Sequence, residues 1–327
     1  MTTHFVSIII VSYNGISYLK DCIDSVLDQD YPRGDYEIIV ADNASTDGSV
    51  DFLRLRYGGE LRIIEYGVNH GFAKGNNLAL RHASGELLVF LNQDTIVHRR
   101  WLSELVRGVT DAGYDVCHSN MLLPRNAEFD GADERRFPEN IYYYELTRYG
   151  HVHQVVRKYS DDIIETRALA GGSFIIKKSV LDEAGVLFDE CFCMYSEDTD
   201  LALRLVRKGF RIGVVPSSVV YHFTRFSFGL NRYNVWKNLI MVRNRMMAFW
   251  KSSGPGEFAR VLPYLLASQP QKVFTRSREV KNGRIKSALL ACSTVPLSLI
   301  SLLWFIATIP KLEKKPVPRG LAEQDQK

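Results

Sequence analysis

The chain has 327 residues, 46% of them hydrophobic and 24% charged, which is the make-up of a globular protein with one large domain, a sizeable core and an appendage. This composition excludes a low-complexity chain, and five cysteines without a CxxC pair (Cys22, Cys117, Cys191, Cys193, Cys292) argue for reduced structural thiols over a disulfide framework. The net charge of +4 conceals an asymmetry, because residues 231–327 carry 17 Lys and Arg against 5 Asp and Glu, or +12, leaving −8 for the rest; such a tail expects an anionic partner.

No basic stretch precedes the first apolar run, and Val6–Val11 is too short for a signal-peptide core, so it is expected to be a strand. Its nearly continuous β-branched residues suit a central strand buried on both faces. Ser12-Tyr13-Asn14-Gly15 breaks it, and apolar residues at helical spacing predict a helix over Tyr18–Leu27. Further strands are predicted at Glu37–Val40, Arg62–Glu65 and Glu86–Leu91, with helices at Ser49–Arg56, Asn76–Ala83 and Trp101–Thr110. This alternation with short turns implies a mainly parallel α/β sheet with helices on both faces, whose ligands bind beyond the carboxyl ends of the strands. Asn14, Asp42 and Asp94 fall at such ends.

Residues 111–170, with a polar Pro124–Asn140 stretch, Tyr142-Tyr143-Tyr144 and the His151/His153 pair, suggest a variable loop region facing a second substrate. Strand character returns at Leu169–Ile176, helices follow at Lys178–Ala184 and Thr199–Lys208, and a last strand at Arg211–Val215 is closed by Pro216. The chain divides into a catalytic-looking domain, 1–230, and a basic C-terminal region, 231–327. In the latter, Tyr233–Trp250 has a basic amphipathic pattern. Ser287–Ile309 holds no charged residue and is long enough to span a bilayer, with Lys281, Arg284 and Lys286 on one side and Lys311, Lys314 and Lys315 on the other. A single span, a Pro296-kinked helical pair in the interface and a buried helix are the alternatives.

Several short signatures carry candidate chemistry, and each has a purely structural alternative. Asp94, after a strand, can hold Mg²⁺ or Mn²⁺ through oxygen, or cap the helix that follows. Asp42 can bind a base edge, or Asp42 to Gly48 can simply start a helix. The glycines and amides of Gly71 to Asn77 can approach a diphosphate at a helix start, or form a plain turn. Glu197 and Asp198, with Asp200 nearby, can supply a general base or favour a helix dipole. His222 can be a neutral metal ligand or a hydrogen-bonded strand residue.

Taken in order, Val6-Ser7-Ile8-Ile9-Ile10-Val11-Ser12-Tyr13-Asn14, Val40-Ala41-Asp42-Asn43-Ala44-Ser45-Thr46-Asp47-Gly48, Asn69-His70-Gly71-Phe72-Ala73-Lys74-Gly75-Asn76-Asn77, Leu91-Asn92-Gln93-Asp94-Thr95, Ala170-Gly171-Gly172-Ser173-Phe174 and Ser196-Glu197-Asp198-Thr199-Asp200-Leu201 form a set. Over residues 5–250 this set resembles the family 2 glycosyltransferases of the GT-A fold, particularly rhamnosyltransferase-like bacterial members. One departure is Asn92, where the family's Asp-x-Asp motif usually starts with an acid.

The resemblance implies inverting transfer of a sugar, rhamnose first, from a dTDP- or UDP-linked donor to a hydroxyl of a glycan or lipid-linked acceptor. By the same resemblance Asp198, with Glu197 as alternative, is the base, and Asp94 and His222 hold the divalent metal, Mg²⁺ or Mn²⁺. Ser12, Tyr13, Asn14, Asp42, Asn43, Gly71, Phe72, Lys74, Asn76, Asn77 and Gln93 form the nucleotide-sugar side, and Gly171 and Gly172 the acceptor side. The tail is then expected to meet the cytoplasmic face of a membrane and not nucleic acid. Oligomeric state stays open, and a non-catalytic nucleotide-sugar or glycan-binding module of the same fold is the rival class.

Overall fold

The computed structural model describes residues 4–122, 138–146, 152–223, 232–253, 255–266 and 295–312. The first half alternates as expected: β1 (Val6–Ser12), α1 (Ile16–Leu27), β2 (Tyr36–Asp42), α2 (Ser49–Tyr57), β3 (Arg62–Glu65), α3 (Gly71–Leu80), β4 (Leu87–Leu91), β5 (Thr95–Val97) and α4 (Trp101–Thr110). Successive side chains of a strand point to opposite faces. Ile8 and Ile10 of β1 therefore join a core with Leu19, Ile23 and Val26 of α1 and Trp101, Leu102 and Leu105 of α4. Ile9 joins a second core on the other face, with Ala73 and Leu80 of α3. Both faces of the sheet are covered, at about 1.5–3 kcal/mol for each large apolar side chain buried.

The second half departs from the expected pattern. After α4 come β6 (Val116–Leu122), the hairpin β7 (Asn140–Leu146) and β8 (Val152–Lys158), β9 (Ile164–Thr166), β10 (Ser173–Lys177), α5 (Lys178–Ala184), α6 (Glu197–Arg207) and β11 (Ile212–His222). The sheet order is β3-β2-β1-β4-β10-β6-β11-β5, with β9 also paired to β11. β1, β2, β3 and β4 run parallel, as do β6 and β11, but β10 runs antiparallel to both β4 and β6, and β5 and β9 run antiparallel to β11. The sheet is thus mixed: β1, β2, β3, β4, β6 and β11 run one way, and β5, β9 and β10 run the other. The reversal matters for the site, because β10 begins beside the end of β4, with Ser173 opposite Leu91.

Other boundaries move as well. The Gly/Asn segment expected as a turn is the first part of α3. Pro216 does not close the last strand. β11 passes it through a register shift between Val215 and Val219 and continues to His222. Within the supposed loop region 111–170, β6, β7, β8 and β9 are regular strands, while 123–137 and 147–151, including His151, lie outside the described residues.

The C-terminal helices are α7 (Arg232–Ser252), α8 (residues 255–266) and α9 (Val295–Leu312). α7 is not a surface amphipath along its length: Met246, Met247 and Phe249 share a buried core with Leu203 of α6 and Phe305 of α9. No described helix is long and apolar enough to cross a membrane, so the single span expected at 287–309 has no support. The physical reason is that α9 spends one side on the protein. Phe305 is buried against Phe258 and Trp250, and Ser301 donates to Leu239 O at 3.0 Å. Residues 287–294 and the flanking Lys281, Arg284, Lys286, Lys314 and Lys315 lie outside the described residues.

Candidate active site

The ends of β1, β2 and β4 meet at one edge of the sheet. Register pairs Ser12 with Asp42, so the two strand ends stand side by side. Gln93 bridges to β1: Ser12 Oγ (2.8 Å) and Tyr13 N (3.1 Å) donate to its Oε1, and its Nε2 donates to Tyr13 O at 3.1 Å. Asn14, held at φ 47°, accepts from Thr46 N and donates its own N–H to Ser45 Oγ, both at 2.9 Å. Asp42 is buried. Its Oδ2 accepts from Ser45 N at 2.9 Å, while Oδ1 has no hydrogen-bond partner among the described residues. A buried acceptor left without a donor is costly, so this oxygen has the capacity to accept a further hydrogen bond.

Three of the amides assigned to the donor side brace the protein itself. Asn43 accepts from His70 N (2.8 Å) and donates to Gly71 O (3.0 Å), Asn76 donates to Phe72 O (2.9 Å), and Asn77 is paired with both backbone groups of Phe188. They shape α3 and the loop that packs on it. Gly71, at φ 76°, has no room for a side chain, since a Cβ would stand 2.9 Å from Cys193 Sγ. Phe72 packs against Phe188 with the rings tilted by 33°, and Lys74 is half-buried on the same helix.

Asp94 and His222 come together from 128 residues apart, with His222 Nε2 at 3.2 Å from Asp94 Oδ1. Antiparallel pairing of β11 and β5 sets His222 opposite Thr95. Asn92 Nδ2 lies 3.3 Å from the same imidazole nitrogen. One carboxylate oxygen and one imidazole nitrogen fit two positions around a divalent cation, and diphosphate oxygens suit the others. Among the described residues no set of three His, Cys, Asp or Glu forms a complete protein cage.

The dyad sits at the start of α6. Asp198 Oδ1 accepts from Thr199 N at 2.7 Å and Oδ2 from Gly171 N at 3.3 Å. Burial raises the Asp198 pKa, and these N–H groups oppose the rise. Glu197 is buried, and its Oε2 has no partner among the described residues. Burial, and then the Asp198 charge, push Glu197 up to about 8. Burial thus raises both adjacent carboxyls, but their partners differ: Asp198 accepts two backbone N–H bonds that oppose its rise, while the Glu197 Oε2 has none among the described residues. Asp200 is not a third acid of the site, because Arg204 Nε at 2.9 Å and Lys251 Nζ at 3.4 Å neutralise it.

Gly171 and Gly172 approach protein groups. A Cβ on Gly171 would meet Asp198 Cβ at 3.1 Å, and one on Gly172 would meet Met121 Cε at 2.7 Å. The basic amphipathic pattern over Tyr233–Trp250 does not single out Asn244 or Arg245. Both are buried on α7, and the Asp198 charge acts on Arg245, which burial pulls down to about 10. The only signal was their place in a run ending in Met246 and Met247, which reads equally well as an interfacial helix.

Residues 7–183 match the family model described as glycosyl transferase family 2. The glycosyltransferase AglE of Haloferax volcanii is 32% identical over 123 residues, which are 37% of this chain and 40% of that relative. The poly(ribitol-phosphate) beta-N-acetylglucosaminyltransferase TarS of Staphylococcus aureus is 28% identical over 138 residues, 42% of this chain but 23% of its own length. The chain therefore spans well under half of these relatives. Among solved structures, TarS 1–349 in complex with UDP-GlcNAc superposes with a TM-score of 0.59 at 18% identity, covering 94% of this chain and 82% of that one. The mannosyltransferase PcManGT of Pyrobaculum calidifontis in complex with GDP-Man and Mn²⁺ gives 0.55 at 20%, covering 95% and 88%. At these identities the likeness is one of fold.

Proposed function

Because the chain belongs to glycosyl transferase family 2, we propose that it moves a sugar from a nucleoside-diphosphate donor to an acceptor hydroxyl with inversion, using Asp198 as the base. The observation that carries this reading is the split dyad: Asp198 is hydrogen-bonded by two backbone N–H groups, while beside it Glu197 favours its proton. Asp198 takes the hydroxyl proton as that oxygen bonds to the anomeric carbon, and the bond to the diphosphate oxygen breaks on the opposite face. Asp42 Oδ1 receives a base N–H, Ser12, Tyr13 and Gln93 frame the nucleoside, and Phe72 and Lys74 line the donor pocket. Asp94 and His222 hold a divalent cation, which supplies Lewis-acid stabilisation of the departing diphosphate.

The first donor is dTDP-rhamnose, on the likeness of motifs. UDP-GlcNAc and GDP-mannose, bound by the fold neighbours, are its rivals. The acceptor is a glycan or a lipid-linked hydroxyl, and the protein works at the cytoplasmic face of a membrane. The outer side of α9 supports this, since Leu299, Ile300, Leu303, Trp304 and Ile306 are all exposed on a region of charge +12. The test is thermal shift against these nucleotide sugars with Mn²⁺, followed by release of nucleoside diphosphate. A true donor at 100 times its Kd adds about 2.7 kcal/mol. Binding without turnover under any acceptor would favour the non-catalytic module, and no shift with any donor would end the proposal.

A further inference from the structure

The loop that enters the dyad is held in an uncommon backbone conformation. Cys193, Tyr195 and Ser196 have φ of 60°, 69° and 68°, and all three lie within the four residues before Glu197. L-residues avoid this region unless surrounding contacts impose it.

One buried side chain supplies those contacts. Asn244 of α7 points its amide nitrogen at three carbonyls of the loop: Phe192 at 2.9 Å, Met194 at 2.8 Å and Tyr195 at 2.7 Å. Two amide hydrogens are shared among three acceptors, so the loop is gathered around one point. The amide orientation is fixed in turn by Arg243, whose Nε (2.9 Å) and Nη2 (2.6 Å) donate to Asn244 Oδ1 and whose Nη2 also reaches Cys191 O at 3.3 Å. Arg243 itself lies 4.3 Å over the Trp304 ring of α9. On its other side, the loop offers Cys193 O to Phe72 N (3.0 Å) and Ala73 N (3.1 Å), in the first turn of α3. A single loop therefore touches the donor-side helix and leads into the acceptor-side carboxylates.

We propose that Asn244 is a positioning residue for glycosyl transfer: its amide locks the 193–196 loop, with its three positive-φ residues, and so sets Asp198 at a fixed place relative to α3. The inference rests on the assignment of Asp198 as base. A small misplacement of a reacting group is enough to lower turnover by about 10²-fold. Binding of the nucleotide, which depends on β1, β2 and β4, is left nearly intact.

The test uses the full chain and whichever of dTDP-rhamnose, UDP-GlcNAc and GDP-mannose the wild type consumes, read as released nucleoside diphosphate. Asn244→Ala is expected to lower kcat by about 30-fold or more while donor KM moves less than about threefold. Val242→Ala, in the same helix and buried in its core, has an apolar side chain that makes no hydrogen bond to the loop and is the control; it loses thermal stability but keeps kcat within about threefold. Ser196→Gly placed in Asn244→Ala is expected to restore kcat about fivefold, because glycine adopts the left-handed conformation without the Cβ penalty. Independently of any donor, amide exchange of residues 192–201 accelerates in Asn244→Ala and not in Val242→Ala. If Asn244→Ala does not fold, Asn244→Ser, which keeps one donor, carries the same comparison.

An Asn244→Ala enzyme with wild-type kcat, a kcat loss matched by Val242→Ala, or no rescue by Ser196→Gly overturns the inference. If Asp198→Asn is inactive and Asn244→Ala is not, the base assignment stands and this inference alone falls. If Asp198→Asn turns over normally, both fall.

Discussion

Gly171 gives its backbone N–H to Asp198 Oδ2 at 3.3 Å, and the space a side chain would fill at Gly171 is taken by Asp198 itself. The glycine lets the carboxylate lie against the entrance to β10, beside the end of β4. Asp198→Asn keeps the shape and removes the proposed base. It is expected to lower turnover by about 10²–10⁴-fold with little change in donor affinity by calorimetry. Equal turnover would mean that another group takes the proton.

Glu197→Gln should behave differently, because glutamine mimics a carboxyl that already holds its proton. Turnover near neutral pH is expected to stay within about tenfold of wild type. Stability carries the sharper signature. The Glu197 pKa is raised on folding from 4.5 to about 8, so between these values the native state binds more protons than the unfolded one. Stability then falls as pH rises through that window and levels off above it. Asp198, also raised by burial, adds in the same direction, and Arg245 stays charged throughout. Melting temperature against pH should be flatter for Glu197→Gln, with the variant ahead of wild type at pH 9. Parallel curves would remove the claim that Glu197 is buried with its proton.

Asp94 and His222 share one job in the proposed mechanism, so their variants should share one phenotype. EDTA is expected to suppress turnover and Mn²⁺ or Mg²⁺ to restore it. Asp94→Asn and His222→Ala should each raise the Mn²⁺ concentration for half-maximal rate by about tenfold or more. Full activity in EDTA would leave the pair as a plain hydrogen bond.

For the tail, cutting the chain after Ser253 is a poor test of membrane binding, because it also uncovers Met246, Met247 and Phe249. The two sides of α9 can be tested apart. Phe305→Ala faces the protein and should lower stability by about 3–5 kcal/mol in denaturant melts. Ile300→Glu with Leu303→Glu faces outward and should leave stability near wild type while abolishing co-sedimentation with anionic vesicles. Vesicle binding unchanged by the double substitution would discard the membrane surface as partner.

What the sequence determined by itself was the local half of the molecule. A β-branched run such as Ile8-Ile9-Ile10 has no soluble alternative to a buried strand, and the helix expected over Tyr18–Leu27 follows from apolar spacing, its Leu19, Cys22, Ile23 and Val26 all being buried. The order of the motifs was enough to mark a resemblance to the family whose model matches residues 7–183, and through that resemblance Asp42, Asp94 and Glu197-Asp198 are proposed as site residues. Tertiary structure decided what depends on partners far along the chain. The reversal of β10, the meeting of Asp94 with His222, and the diversion of Asn43, Asn76 and Asn77 into bracing all arise from pairing and packing between distant segments. The same holds for the tail, where an uncharged run suits a bilayer and a protein core equally. Only the docking of Phe305 against α7 and α8 distinguishes the side of the helix that is buried from the side left outward.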